Sequence, residues 1–258
     1  MLFKATATPA LIFLLSATAV AQRSAPLFLD SRSGEDPAVI DVTEITGQYS
    51  KLAIEEYEKG IAEGRKGNRA AAREHLESAI RIEPGFFNAH NSLAVLFHRT
   101  SQYRDAEREY REAARLNPRS VAPYINIASM FVEEAFVTGA TDPKGSRSRL
   151  NDALGSFNKA LEIQPGAPLA LYGTGVVYYV TGFYEESESY FKKALDSGDP
   201  RVVLAHLALA DMYLRLQEWD NVVVQLDQYL ERVPFASNRV KIRGVRNAAF
   251  EKLESSSQ

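Results

Sequence analysis

The sequence predicts an all-α fold: an α-solenoid of five helix-turn-helix repeats followed by a C-terminal capping helix. Apolar residues recur at helical spacing on both sides of short polar turns, as in 87–120, where two such patterns flank the turn 100–102. The prolines that end second helices recur 34 residues apart, between Pro84 and Pro118 and again between Pro200 and Pro234. A helix pair repeated at this period buries its apolar faces by stacking on copies of itself.

The repeats keep one register along the chain. They begin at Ala53, Phe87, Val121, Pro168 and Val203. The eighth residue is small in all five: Gly60, Ala94, Ala128, Gly175 and Ala210. Two antiparallel helices approach closely only where side chains are small, so these residues mark the predicted contact between the two helices of each hairpin.

Large side chains occupy other fixed positions. The eleventh residue is aromatic in four repeats and is Glu63 in the first, which has no preceding neighbour. The twenty-fourth residue is large and apolar throughout: Leu76, Tyr110, Phe157, Phe191 and Leu226. The twenty-seventh is small in four: Ala79, Ala113, Ala160 and Ala194. We expect the large side chains to fill the space beside the close contact and to touch the next repeat.

This pattern resembles the tetratricopeptide repeat (TPR) family, which has a 34-residue period, small residues at fixed positions and a closing proline. The resemblance covers about 53–236, with repeats at 53–86, 87–120, 121–167, 168–201 and 203–236. It implies a non-enzymatic scaffold for protein–protein interaction. In this family the first helices of successive repeats line a concave groove that holds a peptide or a partner's helix.

The resemblance also implies which residues line that groove. They are the second, fifth, ninth and twelfth of each repeat, and they are largely apolar and aromatic, more so toward the fourth repeat. Some family members bind a C-terminal carboxylate there, but the basic residues for that contact are missing. The candidate groove residues are Tyr57, Asn91, Val95, His98, Ile125, Leu169, Tyr172, Val176, Tyr179 and Leu207.

The N-terminal segment 1–21 has the pattern of a secretory signal peptide. Lys4 gives a positive start, an apolar run follows, and Ala19 and Ala21 form an A-x-A cleavage pattern before Gln22. The alternative is an uncleaved anchor helix, although the apolar run is short for the ~20 residues that span a bilayer. Cleavage after Ala21 predicts a secreted or periplasmic protein with no membrane span.

Three further segments lie outside the regular repeats. The segment 22–48 contains prolines and glycines without helical period and is predicted to be an extended arm. The third repeat contains 13 inserted residues, because Pro118 and Pro165 are 47 residues apart, and its glycines and Pro143 predict a basic loop over 138–150. The segment 237–258 is predicted to be a capping helix and a short tail.

Composition and motifs exclude several functions. The absence of cysteine excludes disulfides, thiolate metal sites and cysteine nucleophiles, and the net charge of −3 does not suggest a nucleic-acid partner. No catalytic motif is present, so we expect no enzyme, cofactor or metal. The partner is expected to be a protein or peptide; the alternative function is binding of a small apolar or glycan ligand in the solenoid.

Overall fold

A computed structural model of the chain describes residues 49–236 and 238–256, which contain eleven α-helices and no strand. The helices fall into two modules, an N-terminal module (49–165) and a C-terminal module (166–256). The predicted all-α fold class of helix-turn-helix repeats is confirmed. The N-terminal module contains α1 (Lys51–Arg65), α2 (Arg69–Ile82), α3 (Phe87–Arg99), α4 (Tyr103–Leu116), α5 (Ala122–Thr138) and α6 (Pro143–Ile163).

The C-terminal module contains two hairpins and one further helix. Its helices are α7 (Pro168–Thr181), α8 (Tyr184–Asp196), α9 (Ala205–Leu216), α10 (Trp219–Arg232) and α11 (Arg239–Ser256), with a 3₁₀ turn at Pro200–Val202. Within each module every helix packs against the next helix in the chain. The final helix α11 packs on α10 and buries Ile242, Val245 and Ala249.

The close contact within a hairpin joins the eighth and twenty-fourth residues of a repeat. A Cβ added to Gly60 would lie 2.9 Å from Leu76 Cγ, and one added to Gly175 would lie 2.8 Å from Phe191 Cδ1. Phe191 is fully buried, so its ring cannot move into solvent. The small residue therefore lets the two helix backbones approach, and the large residue opposite fills the space.

The turn inside a hairpin uses one left-handed residue at the fifteenth position of the repeat. Gly67 and Gly182 have φ values of 83° and 86°, and Ser101 and Gln217 have 58° and 60°. A left-handed residue ends the first helix and reverses the chain with few residues, which is why glycine is common there. The third repeat lacks this turn because its insertion replaces it.

The prediction of a basic loop over 138–150 is wrong. Helix α5 continues to Thr138 and α6 begins at Pro143, so the inserted residues lengthen both helices and leave only 139–142 between them. Pro143 occupies the first turn of α6, where no backbone N–H is needed, and Asp142 Oδ1 accepts a hydrogen bond from Gly145 N at 2.9 Å. Pro143 and Gly145 therefore belong to the first turn of α6.

The extended hairpin is closed by side-chain contacts between α5 and α6. Ser146 Oγ donates a hydrogen bond to the Ala135 carbonyl at 2.9 Å. Arg149 Nε lies 3.0 Å from Glu134 Oε2, and its guanidinium lies 5.0 Å from the centre of the Phe131 ring. Arg149, expected in a free basic loop, is therefore used to hold the two helices together.

The predicted signal peptide 1–21 and arm 22–48 lie outside the described residues. Within the described part of the chain, no helix combines the length and apolar character needed to cross a membrane.

Candidate interaction surface

The predicted groove residues of the N-terminal module bond to the following first helix. The hydroxyl groups of Tyr57 and Ser92 lie 3.4 Å apart, and Asn126 Nδ2 donates to Asn91 Oδ1 at 3.2 Å. Each pair joins the fifth residue of one repeat to the sixth of the next. Asn91 was predicted to line the groove, but its side chain is fully buried.

A second line of contacts runs near the C-terminal ends of the same helices. His98 Nε2 lies 2.9 Å from Glu133 Oε2, joining the twelfth residue of one repeat to the thirteenth of the next. Tyr103 OH donates to the other oxygen of Glu133 at 3.2 Å. Burial raises the pKa of Tyr103, and the nearby Glu133 charge raises it further, so this phenol stays protonated as a donor.

The apolar groove residues of the N-terminal module lie on the same two helices, Val95 between Asn91 and His98 and Ile125 directly before Asn126. Val95 on α3 and Ile125 on α5 are half-buried. Val95 is spaced four residues after Asn91 and three before His98, so all three share one face of α3. We call the set Asn91, Val95, His98, Ile125 and Asn126 the first-helix strip.

The groove residues of the C-terminal module are also largely buried. Tyr172, Val176 and Leu207 are buried, and Leu169 is half-buried. The ring centroid of Tyr172 lies 5.6 Å from that of Phe191, so this tyrosine packs within its own hairpin. Burial raises the pKa of Tyr172.

Tyr179 belongs to a polar cluster that joins α7 to α9. Its hydroxyl donates to the Asp211 carboxylate, which also accepts from Arg215 Nε at 2.8 Å. Burial raises the pKa of Asp211, although the hydrogen bonds from Tyr179 and Arg215 act in the opposite direction. The cluster satisfies a buried carboxylate and fixes the two first helices of this module side by side.

A separate polar contact joins the two helices within a hairpin. His90 Nδ1 lies 2.7 Å from Glu109 Oε2, and His206 Nδ1 lies 2.8 Å from Gln225 Oε1. The same two positions hold Glu56 and His75 in the first repeat, 2.8 Å apart. The fourth and twenty-third residues of these repeats are therefore a structural pair.

A cleft of about 780 Å³ in the N-terminal module adjoins His90 and is lined chiefly by arginine and glutamate. Its charges bond to one another: Arg108 to Glu109 at 3.1 Å and Arg115 to Glu112 at 2.6 Å. We assign it no ligand. Among the described residues no group of three or more histidine, aspartate and glutamate side chains could hold a metal ion.

The hairpins, their small-to-large contacts and the bonds between successive first helices define a helical repeat protein of the scaffold class. The Tetratricopeptide repeat family model matches residues 57–121, 145–200 and 178–236. The chain belongs to the tetratricopeptide repeat family. No curated protein is a match for its sequence.

Solved structures share the fold at low sequence identity. A thermophilic TPR protein of Thermus thermophilus is 22% identical, with a TM-score of 0.60 over 77% of this chain and 98% of that one. PilW, a type IV pilus biogenesis factor, is 18% identical, with a TM-score of 0.59 over 79% and 91%. YrrB, a TPR protein with an unusual peptide-binding site, is 14% identical, with a TM-score of 0.51 over 80% and 98%.

Proposed function

We propose that the protein is an exported, non-catalytic TPR scaffold that binds a protein or peptide segment on its first helices. The observation that carries this proposal is the first-helix strip. Its half-buried apolar residues are Val95, which lies between Asn91 and His98 along α3, and Ile125, which directly precedes Asn126 on α5. Apolar contacts beside fixed amide and carboxylate groups suit an extended peptide, which presents both side chains and backbone hydrogen-bonding groups.

The structural neighbours support a binding role. YrrB is described as having a peptide-binding site, and PilW as a pilus biogenesis factor. In the C-terminal module, Leu207, Val176 and Tyr179 occupy the fifth, ninth and twelfth repeat positions that Ile125, Val95 and His98 hold in the N-terminal module. We therefore propose a protein or peptide partner rather than a small molecule, since the cleft beside His90 is lined by charges that pair with one another.

Changing the first-helix strip should weaken binding without unfolding the protein. A peptide selected from a phage-displayed library against the wild-type chain serves as the probe. Val95→Arg combined with Ile125→Arg should raise its Kd about tenfold or more, because an apolar contact is replaced by a charge. Fluorescence anisotropy measures the Kd, and circular dichroism checks that the melting temperature is retained.

The matched control places the same kind of change outside the first helices. Ile82 on α2 and Val224 on α10 are exposed apolar residues. Ile82→Arg combined with Val224→Arg should leave the Kd unchanged. If the control pair weakens binding as much as the strip pair, the ligand lies elsewhere and the proposed surface is wrong.

Export rests on the segment 1–21, with its positive start, short apolar run and A-x-A pattern. We expect a cell-envelope or secreted protein whose N-terminus is Gln22. Intact-mass measurement of the protein from its native source tests this directly. A mature pool that retains Met1 or Leu2 would contradict the export proposal and leave the binding proposal standing.

A further inference from the structure

The first two turns of helix α3 are buried on every side. All residues from 86 to 94 are buried, a stretch of more than two helical turns that includes every face of the helix. Helices α1, α2, α4 and α5 contact α3. Yet Asn88 and Asn91, on the face predicted to line the groove, are only 5% and 0% exposed.

Asn91 also has an unused donor. Its Oδ1 accepts from Asn126 Nδ2 at 3.2 Å, but its own Nδ2 is buried with no hydrogen-bond partner among the described residues. A buried donor without a partner is costly, so native proteins rarely leave one. The acceptor it lacks is of the kind that an extended backbone supplies: a carbonyl oxygen passing over the first-helix strip.

We propose that the chain's own arm, residues 39–48, lies in extended form across the first-helix strip when no partner is bound. The place where the described chain begins supports this occupant. Tyr49 stacks on Phe86 with ring centroids 4.2 Å apart, and Phe86 directly precedes α3. The arm therefore joins the module beside the N-terminus of α3, next to Asn88.

The length and pattern of the arm fit the surface. Ten extended residues reach about 33 Å at ~3.3 Å per residue, and packed helices lie about 8–10 Å apart, so 39–48 can cross both α3 and α5. Ile40 and Val42 are two residues apart and share one side of an extended chain, where they can contact Val95 and Ile125. The backbone carbonyls between them are acceptors for Asn91 Nδ2.

The arm would thus shield the apolar strip until a partner displaces it. The arm occupies the first-helix strip when no partner is bound, so its position there does not depend on the identity of the partner. Failure of the test below would leave the partner surface untouched, because that surface is tested with an added peptide.

Because the chain contains no cysteine, two introduced cysteines have no native thiol to compete with them in a disulfide test. In the full chain, Glu44→Cys, on the same side of an extended arm as Ile40 and Val42, is paired with Val95→Cys on the strip, or with Arg111→Cys, an exposed position on α4 in the same module. Under mild oxidation the disulfide between positions 44 and 95 should form within one chain at least tenfold faster than the disulfide between positions 44 and 111. Adding Ile40→Asp and Val42→Asp should remove that advantage while the melting temperature of the repeats is retained.

Two results would overturn the proposal. Equal bridging rates to positions 95 and 111 would show that the arm is a loose tether. A disulfide between positions 44 and 95 that forms mainly between chains, seen as a dimer on a non-reducing gel, would assign the strip to the arm of a second copy.

Discussion

At the scale of single residues, His90 and His206 occupy equivalent repeat positions, but the structure shifts their pKa values in opposite directions. Burial disfavours a charge on His90, yet the hydrogen bonds to Glu109 and to the Pro84 carbonyl outweigh it and raise the pKa of His90. Both ring nitrogens of His90 thus face acceptors, which suits the imidazolium. His206 has neutral Gln225 on one nitrogen and no described partner on the other, and burial lowers its pKa.

The sign of the pH dependence follows from these directions. The unfolded pKa of histidine is about 6.5. For His90, with a raised folded pKa, the stabilisation is fully present below pH ~6.5 and is lost as pH rises through the folded value. For His206, with a lowered folded pKa, stability is lost as pH falls from ~6.5 toward the folded value.

Exchanging the hydrogen-bond acceptors of His90 and His206 should reverse the direction of each histidine's pKa shift. Glu109→Gln should lower the pKa of His90 below its ordinary value, because it removes the charge that favours the imidazolium. Gln225→Glu should raise the pKa of His206, and the stability of this variant relative to wild type should increase as pH falls from about 8 to 6. NMR titration of the imidazole resonances and urea unfolding measure the two effects; unchanged titrations would contradict the role given to the acceptor.

At the scale of the helical element, the sequence predicted the contact within hairpins but not the third hairpin. The period of 34 and the small residue at the eighth position show which faces of the two helices meet, because the helices can approach closely only where the side chain is small. The insertion was different: Gly139, Pro143 and Gly145 have the composition of a loop, and only the cap at Asp142 and the contacts of Arg149 place Pro143 and Gly145 in a helix start. Such contacts depend on the partner helix, so local composition cannot reveal them.

Filling the close contact in the fourth repeat should destabilise it. Gly175→Ala places a Cβ 2.8 Å from the buried Phe191 ring, which must shift, and overpacking of this kind costs about 1–3 kcal/mol. Glycine's own low helix propensity offsets part of that cost. Urea unfolding of the full chain should show lower stability and an unchanged m-value.

The control restores the space on the other side of the contact. Phe191→Leu in the Gly175→Ala background recreates the Ala210–Leu226 combination of the fifth repeat, so the double variant should lose less than the sum of the two single losses. If the stability losses of the two single variants simply add, the side chains at positions 175 and 191 are not in steric conflict. Glu186→Ala, on an exposed position of α8, should change little.

At the scale of the whole molecule, the repeat register determined the family and the positions of the candidate site. The sequence placed Asn91, Val95, His98 and Ile125 on first helices, and the structure brings all of them into the N-terminal module. It could not reveal that Asn91 and His98 bond to the next repeat, because the pairing depends on how far successive hairpins are shifted. For the same reason the buried carboxylate of Asp211 was not expected to accept from Tyr179.

Site-specific photocrosslinking in the native source tests whether partners contact the first helices, as we propose. A benzophenone amino acid is placed at Val95 or Ile125 on the strip, and at Ile82 or Val224 on second helices. We expect adducts with a second protein from positions 95 and 125 and none from positions 82 and 224. Adducts of equal yield from the second-helix positions, or none from either strip position, would contradict it.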